Sequence, residues 1–257
     1  MKTFLNFNLL VLICAVMFLS CVSKRQVLYM QDVKTYKETD VIHEQTSFQV
    51  DDILKISIGA LNPEAALPYN VVSPVAIQAN NVEVIKLEGY LVSQNFTINF
   101  PVLGEISIAD KNTKTLSLHI KELLEKGGYL INPTVMVRLL NAKVTVLGEV
   151  KNPGTFTYTE NSISLFQALG LAGDLTINGS RDDVVIIRES SGKRIITHLD
   201  LTSTEWIKGP FQNMQPNDVI VVNPNTAKIK SAGVVGNASV VLGIASVILS
   251  SIIVLSR

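Results

Sequence analysis

Thr134-Val135-Met136-Val137-Arg138-Leu139-Leu140-Asn141-Ala142-Lys143-Val144-Thr145-Val146-Leu147-Gly148-Glu149-Val150 holds two strands in succession. In the first, Val135, Val137 and Leu139 fall on one side by the period of two, and in the second Val144, Val146 and Val150 are in phase. Asn152-Pro153-Gly154 then marks a tight turn, with a glycine available where a positive φ is needed. Two small domains joined near residue 141 fit this pattern better than a single core.

Upstream, the run from Val50 to Ile58 places Leu54, Ile56 and Ile58 on one strand face. Residues 61–82 carry Pro63, Pro68 and Pro74 and read as an irregular excursion. Further strands are expected at Val84–Leu87, Phe96–Phe100 and Val102–Ile108. Leu116, Ile120, Leu123 and Leu124 repeat with helical spacing, so a helix is predicted over 115–126, with Thr115 as its cap and Gly127-Gly128 as its stop. Downstream, Ser164 to Gln167 matches a capping box, and Leu165, Ala168, Leu169 and Ala172 form the buried stripe of a second helix ended by Gly173. Val184–Arg188 and Arg194–Leu199 flank Ser190-Ser191-Gly192 as a hairpin, and Val219–Val222 is the last strand before Pro224. Without regular βαβ alternation the class is α+β.

The ends of the chain differ from its body. Lys2 followed by the apolar run Leu9 to Leu19 reads as a secretory signal over residues 1–20, because about 11 apolar residues are too few to span a bilayer. Phe18-Leu19-Ser20-Cys21 resembles a bacterial lipobox, in which Cys21 becomes the lipidated first residue; an ordinary cleaved signal is the plainer reading. Cys14 lies inside the leader, so the mature chain would keep one cysteine and no internal disulfide. Residues 21–47 are polar and read as a lipidated tether in which Val27, Leu28, Tyr29 and Met30 are able to pack locally. At the other end, a membrane helix is expected over 231–256. Residues 233–255 carry no charge and reach about 35 Å as a helix, enough to cross a hydrocarbon core. Gly236, Ser239, Gly243, Ser246 and Ser250 form one stripe there, either for close helix packing or for lining a lumen. A single-span anchor is the simpler alternative.

The charge balance is 22 basic to 22 acidic residues, and 21 to 22 once Lys2 leaves with the leader, which argues against a nucleic-acid partner. No phosphate loop, nucleophile elbow or zinc-protease helix occurs, so no catalytic residue and no cofactor is assigned. Asp51-Asp52 reads as a turn rather than a metal pair, and Asp174 to Asp183 as a turn rather than a calcium loop. His119 lies off the apolar stripe and reads as a solvated face residue, remote from His43 and His198, so no metal site is assigned.

Over residues 48–224 the chain resembles the outer-membrane polysaccharide export proteins. The resemblance rests first on Phe48–Ile58, Phe100-Pro101-Val102-Leu103-Gly104 and Asn132-Pro133-Thr134-Val135. It continues through Val146–Gly154, Leu171-Ala172-Gly173-Asp174-Leu175-Thr176, Gly179-Ser180-Arg181 and Gln215–Val222. It implies an export domain over 48–140, a β-grasp-like SLBB domain over 141–228 and a ring of identical subunits in the periplasm beneath an outer-membrane collar. On this reading the chain is a subunit of a conduit for capsular or extracellular polysaccharide, partnered by an inner-membrane co-polymerase, and not an enzyme. The rival is a lipid-anchored periplasmic glycan-binding module without a pore.

Overall fold

The computed structural model describes residues 27–38, 46–70, 88–190 and 192–232, together with scattered helical positions between 242 and 254. Cys21, Gly236, Ser239 and the strand expected at 84–87 lie outside the described residues.

In the first half, β1 (Ile53–Gly59) is the centre of an antiparallel sheet, with β2 (Tyr90–Leu91) on one side and β5 (Thr134–Leu139) on the other. Pairing of Ile56 with Val137 turns the alternating apolar side chains of both strands inward. A hairpin, β3 (Thr97–Phe100) and β4 (Gly104–Ser107), turns at Val102, which has φ +66°. The irregular stretch predicted from residue 61 contains a single helical turn, α1 (Pro63–Ala66), followed by a 3-10 turn at Leu67–Tyr69.

The first long helix, α2 (Thr113–Lys126), starts two residues earlier than the apolar repeat implies. Its cap is Asn112 rather than Thr115. Asn112 Oδ1 accepts from Thr115 N at 2.9 Å while Thr115 Oγ1 accepts from Asn112 N at 2.9 Å, so Thr115 completes a capping box from inside the helix. Leu116, Ile120 and Leu124 are fully buried and Leu123 sits half-buried at the core's edge. Burying each of these leucine or isoleucine side chains stabilises the fold by about 1.5–3 kcal/mol.

In the second half, β6 (Lys143–Gly148) and β12 (Val219–Pro224) are parallel neighbours at the centre of a five-stranded sheet. β7 (Gly154–Thr157) pairs antiparallel with β6, and β9 (Gly179–Ser190) with β12 and with β10 (Lys193–Leu199). First and last strands paired in the middle of a mixed sheet, with a helix across one face, are the β-grasp arrangement. That helix is α3 (Leu165–Leu171), held by reciprocal Ser164 and Gln167 bonds of 3.1 and 2.7 Å, as its sequence predicts. Two short strands, β8 (Ile163–Ser164) and β11 (Asn213–Met214), pair beside it, and α4 (Thr226–Ala232) follows β12. The class is mixed α+β.

The turn after β6 differs from its sequence reading. Gly154 opens β7 and is not among the positive-φ residues; Gly148 is, at φ +91°. A β-carbon on Gly148 would lie 2.0 Å from the carbonyl oxygen of Val222, so only glycine lets the two central strands approach here.

Among the described residues no helix is long and apolar enough to cross a membrane, and most of the run 233–255 lies outside them. Gly243, Ser246 and Ser250 are helical, and each serine hydroxyl donates to a carbonyl of its own helix: Ser246 to Gly243 and Ser250 to Ser246.

Candidate functional site

Tyr29 and Asn225 both meet one loop of the second half. Residues 174–181 run from α3 into β9, and their backbone is tied down from beneath. Thr176 N and Oγ1 donate to the carbonyl and carboxylate of Glu149, at 2.9 and 3.0 Å. Arg181 is buried and reaches back to the carbonyls of Leu175, Thr176 and Gly179 at 3.2–3.4 Å. A guanidinium with three carbonyl acceptors rigidifies the loop.

The N-terminal segment docks on this loop. Its expected role as a loose tether holds only in part, because residues 29–36 pack against the second half. Met30 N donates to Leu201 O at 3.0 Å and Gln31 N to Thr202 O at 2.7 Å. Tyr29 lies edge-on to Phe166, which in turn lies edge-on to Trp206. The guanidinium of Arg181 sits 4.9 Å from the Tyr29 ring centre, and the tyrosine hydroxyl donates to Asp174 Oδ1 at 2.5 Å. Burial, and then the Asp174 carboxylate, push the Tyr29 hydroxyl well above its ordinary pKa, so it stays a donor. Thr204 bonds to Asp32, with its hydroxyl 2.9 Å from Oδ2, and these bonds hold that carboxyl below its usual range.

The C-terminal exit uses the same loop from its other side. Asn225 N donates to Asn178 O at 2.7 Å, and Asn225 Nδ2 to Ile177 O at 2.9 Å. Its Oδ1 accepts from Lys228 N at 3.0 Å, so one buried asparagine both joins the loop and caps α4.

A second feature lies where the two halves join. Asn141 Oδ1 accepts from Ile53 N and its Nδ2 donates to Asp51 O, both at 2.9 Å, which fixes the turn in which Asp51 has φ +67°. Gln49 spans the halves, donating to Glu189 O at 3.2 Å and accepting from Asn217 Nδ2 at 2.7 Å. Asp52, which the sequence places in a turn, is almost fully buried, and this burial pushes its carboxyl up to about 6. Beyond the join, Arg188 and Asp218 make a buried bidentate pair at 2.7–3.2 Å, closed by the carbonyls of Pro210 and Asn213 and the Gln215 N–H. Sequence reading missed this pair, since nothing in the spacing of Arg188 and Asp218 marks them as partners.

His119 stands half-buried on α2 and lines a groove rather than standing on a fully solvated face. Among the described residues no three His, Cys, Asp or Glu side chains are grouped to hold a metal ion. Gly243, Ser246 and Ser250 follow one another along one helical face, and the Gly243 α-carbon has open space beside it.

The family model of polysaccharide biosynthesis/export proteins matches residues 42–140, and the SLBB domain model matches residues 143–197. A curated relative, the EPS I polysaccharide export outer membrane protein EpsA of Ralstonia solanacearum, is 27% identical over 199 residues. That alignment covers 74% of this chain and 51% of the relative, so the chain spans about half the length of the curated relative it matches. The two matched segments abut within three residues of Asn141, and each holds its own hydrophobic core. The chain thus carries a polysaccharide biosynthesis/export domain followed by an SLBB domain.

Proposed function

We propose that this protein is a subunit of an oligomeric outer-membrane conduit that carries capsular or extracellular polysaccharide out of the cell. On this reading the body stands in the periplasm, lipid on Cys21 and a helix over 231–256 hold it to the outer membrane, and an inner-membrane co-polymerase delivers polymer to it. The role is transport, in line with the family description and with a relative named as a polysaccharide export outer membrane protein.

The observation that carries the reading is the shared loop. Tyr29 on one side and Asn225 on the other pin the chain to residues 174–181. Seven residues separate Cys21 from Tyr29, and extended chain covers at most about 3.6 Å per residue, so a lipid on Cys21 holds this loop within about 30 Å of the bilayer. The tail that follows α4 starts from the same place. Two membrane attachments at one end of the molecule leave the export half pointing away from the membrane, as a periplasmic intake requires.

The test is surface polymer in cells lacking the chain and complemented with variants. Wild type and Ile244→Leu restore it. Gly243→Leu and Ser246→Leu do not, because a leucine on the small-residue stripe pushes neighbouring helices apart while lipid does not distinguish isoleucine from leucine. Normal surface polymer in both stripe variants would overturn the conduit and leave a lipid-anchored glycan-binding module without a pore.

A further inference from the structure

One concavity of the described residues lies in the export half, on elements that make no contact with the loop at residues 174–181. It is a groove of about 460 Å³ between α2 and the β3–β4 hairpin. Its apolar wall is Leu103, Ile106 and Leu123, and Tyr129 closes one end. The Tyr129 ring lies so close to Gly127 that a β-carbon there would sit 2.3 Å from Cε2, and Tyr69 meets it edge-on at 6.2 Å. These contacts fix the ring, yet it is 46% exposed. An aromatic side chain held rigid and left open is a preorganised contact surface, since its ordering cost is already met in the free protein.

Polar groups converge on the same groove. Glu105 and Ser107 stand on β4 and His119 on α2, all three lining the cavity. None of their side chains is hydrogen-bonded to another described residue, whereas Lys121 and Lys126 on the same helix are each engaged, with Asn132 and Glu122. The groove therefore offers one fixed ring, an aliphatic wall and an uncommitted set of donors and acceptors. Its volume suits a small ligand or a few residues of a polymer.

We infer that this groove is a saccharide-binding subsite that holds a short stretch of the transported polymer against Tyr129. A pyranose presents the matching surface: a face of C–H bonds for the ring and aliphatic wall, and an equatorial rim of hydroxyls that both donate and accept. Glu105 accepts from such hydroxyls, and Ser107 and His119 do either. The identity of the sugar as part of the exported polymer rests on the conduit reading; the chemistry of the groove does not. A few such hydrogen bonds in a shallow, open groove give weak binding, of about millimolar constant, which permits the polymer to move on.

The test uses full-length protein in detergent, with oligosaccharides of a few sugars released by partial acid hydrolysis of the cell's own surface polymer. Methyl NMR signals of Leu103, Ile106 and Leu123 report the groove directly. They are expected to shift on titration, with Tyr129→Leu weakening binding about tenfold and His119→Ala or Glu105→Ala about two- to fivefold each. The two polar variants lie on the surface of formed elements, so they remain informative if Tyr129→Leu fails to fold. Absence of shifts at millimolar sugar, shifts confined to other methyl groups, or binding unchanged in His119→Ala and Glu105→Ala would overturn the subsite. Groove failure with export lost in the tail-stripe variants leaves the conduit standing. Groove binding with export intact in those variants keeps the subsite and removes the conduit.

Discussion

The two halves of the molecule solve the same packing problem with different means. The export half builds its core from aliphatic and aromatic side chains alone: Asp52 at its edge is its one buried charged group among the described residues, and it faces the join. The SLBB half adds buried ionic groups, Arg181 beneath the anchoring loop and the Arg188–Asp218 pair beside the sheet. A core of apolar contacts tolerates small displacements, whereas a desolvated ion pair held in two bonds and braced by backbone carbonyls narrows the geometry. The half that holds Tyr29 and Asn225 is the half locked in this way. The half with the open groove is held to it at Asn141 and Gln49.

The largest break in this contrast comes from Arg188→Met. It leaves Asp218 buried without its partner and should cost about 3–5 kcal/mol, confined to the SLBB half. Trp206 is the chain's one tryptophan and lies in that half, so its fluorescence in a urea titration reports the loss. Methyl signals from α2 should stay dispersed at urea concentrations where Trp206 has already become exposed. Simultaneous loss of both signals would show a single cooperative core instead of two.

Next in size is the pH dependence of Asp52. Its carboxyl titrates near 6 in the folded chain, against about 4 when unfolded. The raised value means the native state keeps the proton longer. Its contribution is complete below about pH 4, is lost as pH climbs through about 6, and then leaves a constant deficit of about 3 kcal/mol. Asp52→Asn should therefore stabilise the export half by up to about 3 kcal/mol at neutral pH and by nothing near pH 4. Urea midpoints at the two pH values decide it, and equal gains at both would place the effect outside this ionisation.

The smallest effect is expected from Gln49→Ala. It removes two partly exposed hydrogen bonds between the halves and should cost about 1 kcal/mol or less. Its signature is a wider gap between the two unfolding midpoints, because the contact couples the halves more than it stabilises either.

Legibility in the sequence followed the range of the interactions. The elements came from local signals: the alternation in Thr134–Leu139, the leucine repeat of α2 and the Ser164–Gln167 box each act within a few residues. Cap and turn details were less secure where two residues compete for one role. Asn112 displaces Thr115 because it precedes the first turn and its carboxamide oxygen reaches Thr115 N, while Gly148 displaces Gly154 because the reason for glycine there is Val222, 74 positions away. The anchoring loop was not legible at all. Tyr29 and Asp174 lie 145 residues apart and Ile177 and Asn225 lie 48 apart, and no periodicity connects them. The groove shares this property: Glu105 and His119 look like ordinary surface positions until the hairpin folds over α2.

The shared loop also has a mechanical meaning. A pull on residue 29 or on residue 225 enters the fold at the same short segment, where Arg181 and Glu149 take it up. Tension between the two ends thus closes a circuit through residues 174–181 without crossing the five-stranded sheet from edge to edge, and none of it runs through α2 or β1. The export half hangs outside the line of force like a pendant weight. Asn141 and Gln49 hold it to the half that takes up the pull.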